Sequence, residues 1–470
     1  MLKSLTTGLV ATSMLAAGAG FALADGHAKG PYAEFAGQTV TAIFPAHPHY
    51  NAVMKVLPEF TKETGIKVEV DQLQYLKLRE KSTLELTKRQ GDYDLMSYVV
   101  FSKADYVFAD QLENLARFFM NPKLADPSYD PDDLIDGYVQ NIGVAGGKKG
   151  YLPGPTGSLF GIPFGSETSV LAYRKDIFEK HGIKVPETYG ELLEVACKIP
   201  QVEEGMGGMA SRAASGHQAS HAFLLHLAPL GGRVFDDNWN PIINNAAGVE
   251  AAKALKTIVD CGPKGSQSFG PSEAAASFRE GSSAMFMDSI AFAAGFEDPE
   301  KSKVAGKVGY ALHPEGVRRG SQTGGFGIGI PRNAQNKDAA FLLMQWLTSK
   351  KGDLMVAMAG GNPSRFSTYE NAELNARYPY SATFGEALKY ADPDWRPIIP
   401  VWGKINADIG TTMSKVLTEG LDPQEALDGV AERARATMKE AGYYTWASNY
   451  VLLYLGRPSS GGPAAPLTCG

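Results

Sequence analysis

Cysteine is almost missing from this chain. Cys197, Cys261 and Cys469 are three in 470 residues. They are too few and too scattered for a disulfide framework, and they have no metal-ligand spacing. An oxidising compartment permits a Cys197–Cys261 bond, but burial as two separate thiols accounts for the pair as well. Basic excess is missing too: 45 Lys and Arg stand against 51 Asp and Glu, a net charge of −6. That balance argues against nucleic acid and anionic membrane as partners. No Gly-x-Ser-x-Gly, His-Glu-x-x-His, P-loop or Cys–His arrangement occurs, and no cofactor motif survives inspection. The run Gly324-Gly325-Phe326-Gly327-Ile328-Gly329-Ile330-Pro331 fails the dinucleotide fingerprint, because Arg332 stands where the last glycine is needed.

Beyond the N-terminus no stretch is apolar enough to cross a bilayer. Met1 to Ala24 carries a lone Lys3, a short run of apolar and small residues, and then Ala22-Leu23-Ala24. This pattern is a secretory signal with a small-x-small cleavage site, which predicts residues 1–24 removed on export. No cysteine follows that site, so no lipid anchor is expected. The remaining length calls for more than one packed unit.

From Gly37 the pattern alternates. Thr39 to Phe44 is a β-branched run, and Val53, Val56, Leu57 and Phe60 keep helical spacing before Gly65. Ile66 to Val70 alternates as a half-buried strand, Lys77 to Arg89 reads as a helix, and Tyr93 to Val100 as a third strand. This βαβαβ rhythm predicts a parallel sheet covered by helices, with ligands beyond the carboxyl ends of its strands. Asn121 to Gly161 is a Pro-, Asp- and Gly-rich connector whose Lys148 and Lys149 read as solvated. Helical patterns return at Ala246–Val259, Lys337–Thr348 and from Trp402 to Ala441. Tyr443 to Leu455 is strongly aromatic and suits an extra helix; Arg457 to Gly470 has the composition of a disordered tail.

Two carboxylates stand out. The apolar run Ala284-Met285-Phe286-Met287 has strand length and ends in Asp288. A charge at the end of a buried strand needs a partner, so Asp288 is a helix cap, half of an ion pair, or a ligand contact. Glu167 follows Gly161-Ile162-Pro163-Phe164-Gly165-Ser166 and by itself reads as a surface carboxylate. His217 and His221, four apart, would share one face of a helix as a metal pair. They lack a third ligand, and a plain polar helix start with a Ser220 cap is the preferred reading.

The stretches AMFMDSIAFAAGFEDPEKSKVAGKVGYA, GIPFGSETSVLAYRKDIF and HGIKVPETYGELLEVACKI resemble family-1 extracellular solute-binding proteins, the ligand receptors of bacterial ABC importers. The branch they resemble binds sorbitol, mannitol and related polyols. The resemblance covers roughly Thr39 to Ala441 and implies the two-lobed, type II periplasmic binding protein fold. Each lobe of that α/β fold would be a mostly parallel sheet flanked by helices. It implies an N-terminal lobe of residues 37–161 plus 289–326, a C-terminal lobe of 168–285 plus 332–441, and an extension over 442–470. Crossovers are implied at Gly161–Thr168, Met285–Ser289 and Gly324–Pro331. A periplasmic monomer delivering a sugar or polyol to ABC permease subunits, without cofactor or metal, is the implied function.

The implied site draws polar groups from Glu167, Arg212, Asp288, Asn362 and Arg365, with Gly325 allowing close backbone approach. Tyr50, Trp402 and His217 would supply surfaces for stacking. The chain departs from the polyol branch at His47–Tyr50, at Phe101-Ser102, at His217 (often tryptophan there) and at Ser220 (often asparagine). A secreted glycoside hydrolase using Glu167 and Asp288 as paired carboxylates is the alternative.

Overall fold

The computed structural model describes residues 30–145 and 157–444. The leader, the Lys148-Lys149 loop and the segment from Thr445 to the end lie outside the described residues. Local signals explain the first helix well. Pro48 occupies its first turn, the His47 ring accepts the His49 N–H, and Gly65 closes it at φ 73°. Val53, Val56, Leu57 and Phe60 form its buried face, as their spacing requires. The helix Tyr189–Val202 starts with a capping box between Thr188 and Glu191.

Strands are β1 (Thr39–Pro45), β2 (Lys67–Leu73), β3 (Leu95–Val99), β4 (Val144–Ala145), β5 (Ser158–Leu159) and β6 (Ile162–Glu167). They continue as β7 (Ser169–Arg174), β8 (Gly207–Ala210), β9 (Ser283–Ser289), β10 (Val308–Ala311) and β11 (Gly324–Gly329). The first sheet has the order β2-β1-β3-β11-β6 and the second β10-β7-β9-β8; β4 and β5 pair separately. Helices pack on both sheets, giving the expected two-lobed α/β architecture. The pairing is mixed rather than mostly parallel. β1 runs parallel to β2 and β3, and β8 to β9, but β11 is antiparallel to β3 and β6, and β7 to β9 and β10. Strands that arrive from the other lobe enter against the local direction, which a count of βα units does not reveal.

The path between lobes also differs from the expected one. β6 lies in the first sheet and β7 in the second, so the first linker is the single residue Thr168. β9 stays in the second sheet throughout, paired with β7 and β8, so Met285–Ser289 is no crossover. Val304 and Phe296 then pack with Phe278 and Phe286, and β10 pairs with β7, which puts 289–311 in the second lobe. The second linker runs over 312–323. The helix Lys337–Leu347 contributes Phe341, Leu342 and Leu343 to the core around β1, so this part of 332–441 belongs to the first lobe. The chain returns only through a third linker, 389–401, before Trp402–Thr418 and Pro423–Glu440 join the second core.

The linkers are bonded to one another. Thr168 Oγ1 donates to Ser321 Oγ at 2.6 Å, and Thr323 Oγ1 donates to the Asp392 carbonyl at 2.6 Å. Cys197 and Cys261 form a disulfide with Cα atoms 5.0 Å apart, so the separate-thiol alternative is not realised. It joins the helix Tyr189–Val202 to the end of Ala246–Asp260 within the second lobe.

Candidate interlobe ligand site

The ends of β6 and β9 meet where the lobes join. Glu167, the last residue of β6, accepts the His47 Nε2 proton at 3.1 Å from the first lobe. Its other oxygen accepts from Ser289 Oγ at 2.8 Å. Burial would raise this carboxyl, but the His47 and Ser289 bonds and the Arg212 charge outweigh it and lower its pKa.

Asp288 is buried and gripped from three sides. Arg212 donates through Nε and Nη2, at 2.6 and 2.5 Å, in a bidentate pair. The Ser289 N–H donates to Oδ1 at 2.6 Å, and His221 Nε2 stands 3.5 Å away. Burial again opposes the charge, yet Arg212 and His221 hold Asp288 well below the usual carboxylate range. Both simple alternatives for Asp288-Ser289 occur together: Asp288 is half of an ion pair, and Ser289 accepts the Ala291 N–H as the cap of the next turn.

The wall continues from Asp288 along the helix His217–Leu227. Arg396 donates to His221 Nδ1 at 2.6 Å, and its guanidinium lies 3.9 Å over the Trp395 ring. Trp395 Nε1 donates to the Leu224 carbonyl at 3.1 Å, which ties the third linker to this helix. His217 accepts on Nδ1 from the Asn406 amide at 3.1 Å, while Asn406 Oδ1 accepts from Ser220 Oγ at 2.9 Å. Across the cleft, the Phe101 ring of the first lobe sits 6.0 Å from the His217 ring. Burial, with Arg396, His221 and Arg212 nearby, pushes His217 down to about 2. Burial and Arg212 push His221 down to about 3. These two imidazoles are therefore occupied by Asn406, Arg396 and Asp288 rather than poised as a metal pair.

Four histidines at this junction share one feature. His47 accepts on Nδ1 from the His49 N–H, and His49 accepts on Nδ1 from the Asn362 N–H at 3.1 Å. The two backbone N–H groups and the Arg396 guanidinium on His221 are obligate donors, and Asn406 presents its amide nitrogen to His217. A neutral imidazole that accepts on Nδ1 carries its proton on Nε2.

Of the expected site residues, Glu167, Arg212, His217 and Asp288 come together here. Tyr50 is fully buried in the first core, its hydroxyl 2.5 Å from Ser97 Oγ and its ring among Phe44, Phe164 and Phe326. Trp402 is 2% exposed in the second core, so neither ring offers a stacking face. Arg365 is 0% exposed; it donates to the carbonyls of Thr348, Asp130 and Tyr129 and to Asp133, which makes it the fastener of a loop. Gly325 sits at φ 100° on β11, and a side chain there would meet the Gly165 carbonyl at 2.2 Å. Its close approach is to the neighbouring strand. Asn362 borders His49, and its own side-chain amide nitrogen is buried without a partner.

Sequence reading missed Trp395, Arg396, Gln218 and Asn406. Gln218 Oε1 accepts from Arg212 Nη1 at 3.2 Å. The available signal was Asp394-Trp395-Arg396-Pro397, a Trp–Arg pair set between prolines Pro393 and Pro397.

The family model for bacterial extracellular solute-binding proteins matches residues 46–353. A mannitol-binding protein of Pseudomonas aeruginosa is 29% identical over 393 residues, covering 78% of this chain and 85% of its own. A probable amino-acid ABC transporter periplasmic-binding protein of Sinorhizobium fredii is 25% identical, covering 94% and 99%. A solute-binding protein of Agrobacterium radiobacter K84, solved with ribitol, superposes with TM-score 0.75 at 26% identity, covering 86% of this chain and 99% of its own.

Proposed function

Because the chain belongs to the family of bacterial extracellular solute-binding proteins, we propose that it captures a polyol or small sugar between its lobes. It then hands the solute to the membrane subunits of an ABC importer. Members of this family bind their solute rather than convert it. The carboxyls fit that role, since a glycosidase needs one acid with a raised pKa. Glu167 and Asp288 are both held down, and the hydrolase alternative is set aside.

The observation that carries the ligand class is the buried Arg212–Asp288 pair. Its charges neutralise each other, and Glu167 is engaged by His47 and Ser289. A zwitterionic amino acid needs two opposite charges left unpaired. A hydroxylated neutral ligand needs hydrogen bonds to charges already oriented by one another, and these bonds are strong because one partner is ionised. The relative named for mannitol and the neighbour solved with ribitol support the same reading. Export behind the leader 1–24, a periplasmic location and action as a monomer complete the proposal.

The test is a thermal-shift panel on the chain starting at Asp25, with D-mannitol, ribitol, erythritol, monosaccharides and amino acids. A ligand at 100 times its dissociation constant adds about 2.7 kcal/mol of stability. Shifts from polyols or sugars alone are expected. Shifts from amino acids alone would overturn the reading.

A further inference from the structure

The surroundings of His217 define what its ring can offer a ligand. His217 begins the helix His217–Leu227 at the lobe junction, with its ring half-buried and facing Phe101 of the first lobe. Its Nδ1 edge is taken by the Asn406 amide at 3.1 Å. Asn406 is 8% exposed on the helix Trp402–Thr418, and its carbonyl oxygen is taken in turn by Ser220 Oγ at 2.9 Å. An amide that accepts on oxygen from a hydroxyl has only its N–H groups left to turn toward the ring. The chain of polarity therefore runs from Ser220 through Asn406 to His217 Nδ1, and the imidazole proton resides on Nε2.

We infer that His217 is a specificity-determining hydrogen-bond donor, locked in its Nε2–H form by Asn406 and Ser220, which requires an acceptor oxygen on the bound solute. This rests on the interlobe reading of the ligand site and extends it. Glu167 and Asp288 supply acceptors for ligand hydroxyl protons, while His217 supplies a donor in place of a stacking surface. Such a site discriminates by oxygen position: once the lobes close over His217, a deoxy analogue would leave its N–H unpaired and shut off from water, which costs more than the bond itself. Asn406 and Ser220 are positioning residues for that donor.

Two measurements decide it. The first is long-range ¹H–¹⁵N NMR of the imidazoles in the ligand-free protein, with His217 assigned by its loss in His217→Gln. The expected signal is the Nε2-protonated form, shifting to Nδ1-protonated or charged in Asn406→Asp. An Nδ1-protonated wild type, or no change in Asn406→Asp, overturns the lock. The second is isothermal titration with D-mannitol and ribitol. His217→Gln, which keeps a donor near the Nε2 position, should retain affinity within about threefold. His217→Phe, which keeps the ring, should lose tenfold or more. The reverse order would mean that the ring stacks, and would overturn the donor role. If the wild type binds neither polyol, the polyol reading fails, and the NMR arm still decides the lock.

Discussion

Asp288 meets Arg212 through both carboxylate oxygens, at 2.5 and 2.6 Å, while only 3% exposed. This pair is part of the fold as well as of the ligand site. Arg212→Met alone leaves a buried carboxylate uncompensated and should cost about 3–5 kcal/mol of stability. The double variant Arg212→Met/Asp288→Leu should recover most of that loss, because apolar replacement of a buried pair is often neutral, yet bind no polyol. Thermal melts and calorimetric titration measure the two effects separately. A single variant as stable as wild type would contradict the pair's structural role.

Arg365 should behave in the opposite way to a ligand residue. Its guanidinium joins Tyr129, Asp130, Asp133 and Thr348. Arg365→Ala strands those groups and should destabilise by about 3–5 kcal/mol, with unchanged affinity in the fraction that remains folded. Lysine cannot reproduce the fork geometry and should rescue little. A tenfold affinity loss at full stability would return Arg365 to the binding site.

Reducing the Cys197–Cys261 bond should lower the melting temperature without altering affinity. The cystine closes a loop across a separation of 64 residues. In the chain-entropy model such a closure is worth about 4 kcal/mol. Melts with and without reductant, and the double variant Cys197→Ala/Cys261→Ala, test this. Equal melting temperatures would show that the loop is held by packing alone.

Acid should weaken the fold from about pH 6.5 downward, above the usual carboxylate range. Burial pushes His217 down to about 2, His221 and His226 to about 3 and His313 to about 4, and holds His49 well below its usual value. Unfolded histidine protonates near 6.5. Below that pH the unfolded chain binds protons that the fold refuses, so stability falls as pH drops from about 6.5 toward 4. Each such group contributes up to about 1.4 kcal/mol per pH unit. Asp353, pushed up to about 6 by burial, and Asp105, also raised by burial, work in the opposite sense, two groups against five. Melting temperature should decline steadily from pH 6.5 to 4.5, and a flat profile there would refute the assignment.

The elements were legible because their signals are local. The spacing of Val53, Val56, Leu57 and Phe60 and the Thr188–Glu191 box specify helices without reference to the rest of the chain. Asp288 was legible as a charge in need of a partner, with Arg212 and Arg365 as the two candidates; which of them takes the place was not, the contact being 76 positions apart. The linkers were misplaced because they were taken from the resemblance, and neither β9 nor β11 shows in its own residues which sheet it joins. Only their neighbours assign one to the second sheet and one to the first. Arg365 and Trp402 carry chemistry that suits a ligand site, and burial decides against both. Arg396 was invisible because a proline-rich connector gives no sign that it doubles back onto the helix His217–Leu227.

The place of β11 in the first sheet sets the timetable of folding. It lies between β3 and β6, yet it comes more than 150 residues after β6 in the chain. A chain emerging from its N-terminus holds β2-β1-β3 and β6 as two fragments with open edges until residue 329 is available. Closing that gap is a high-contact-order event, slow by its topology. The first lobe thus cannot complete itself while most of the second is still absent. A nascent chain built this way stays incompletely folded until late, a condition that suits the export proposed above.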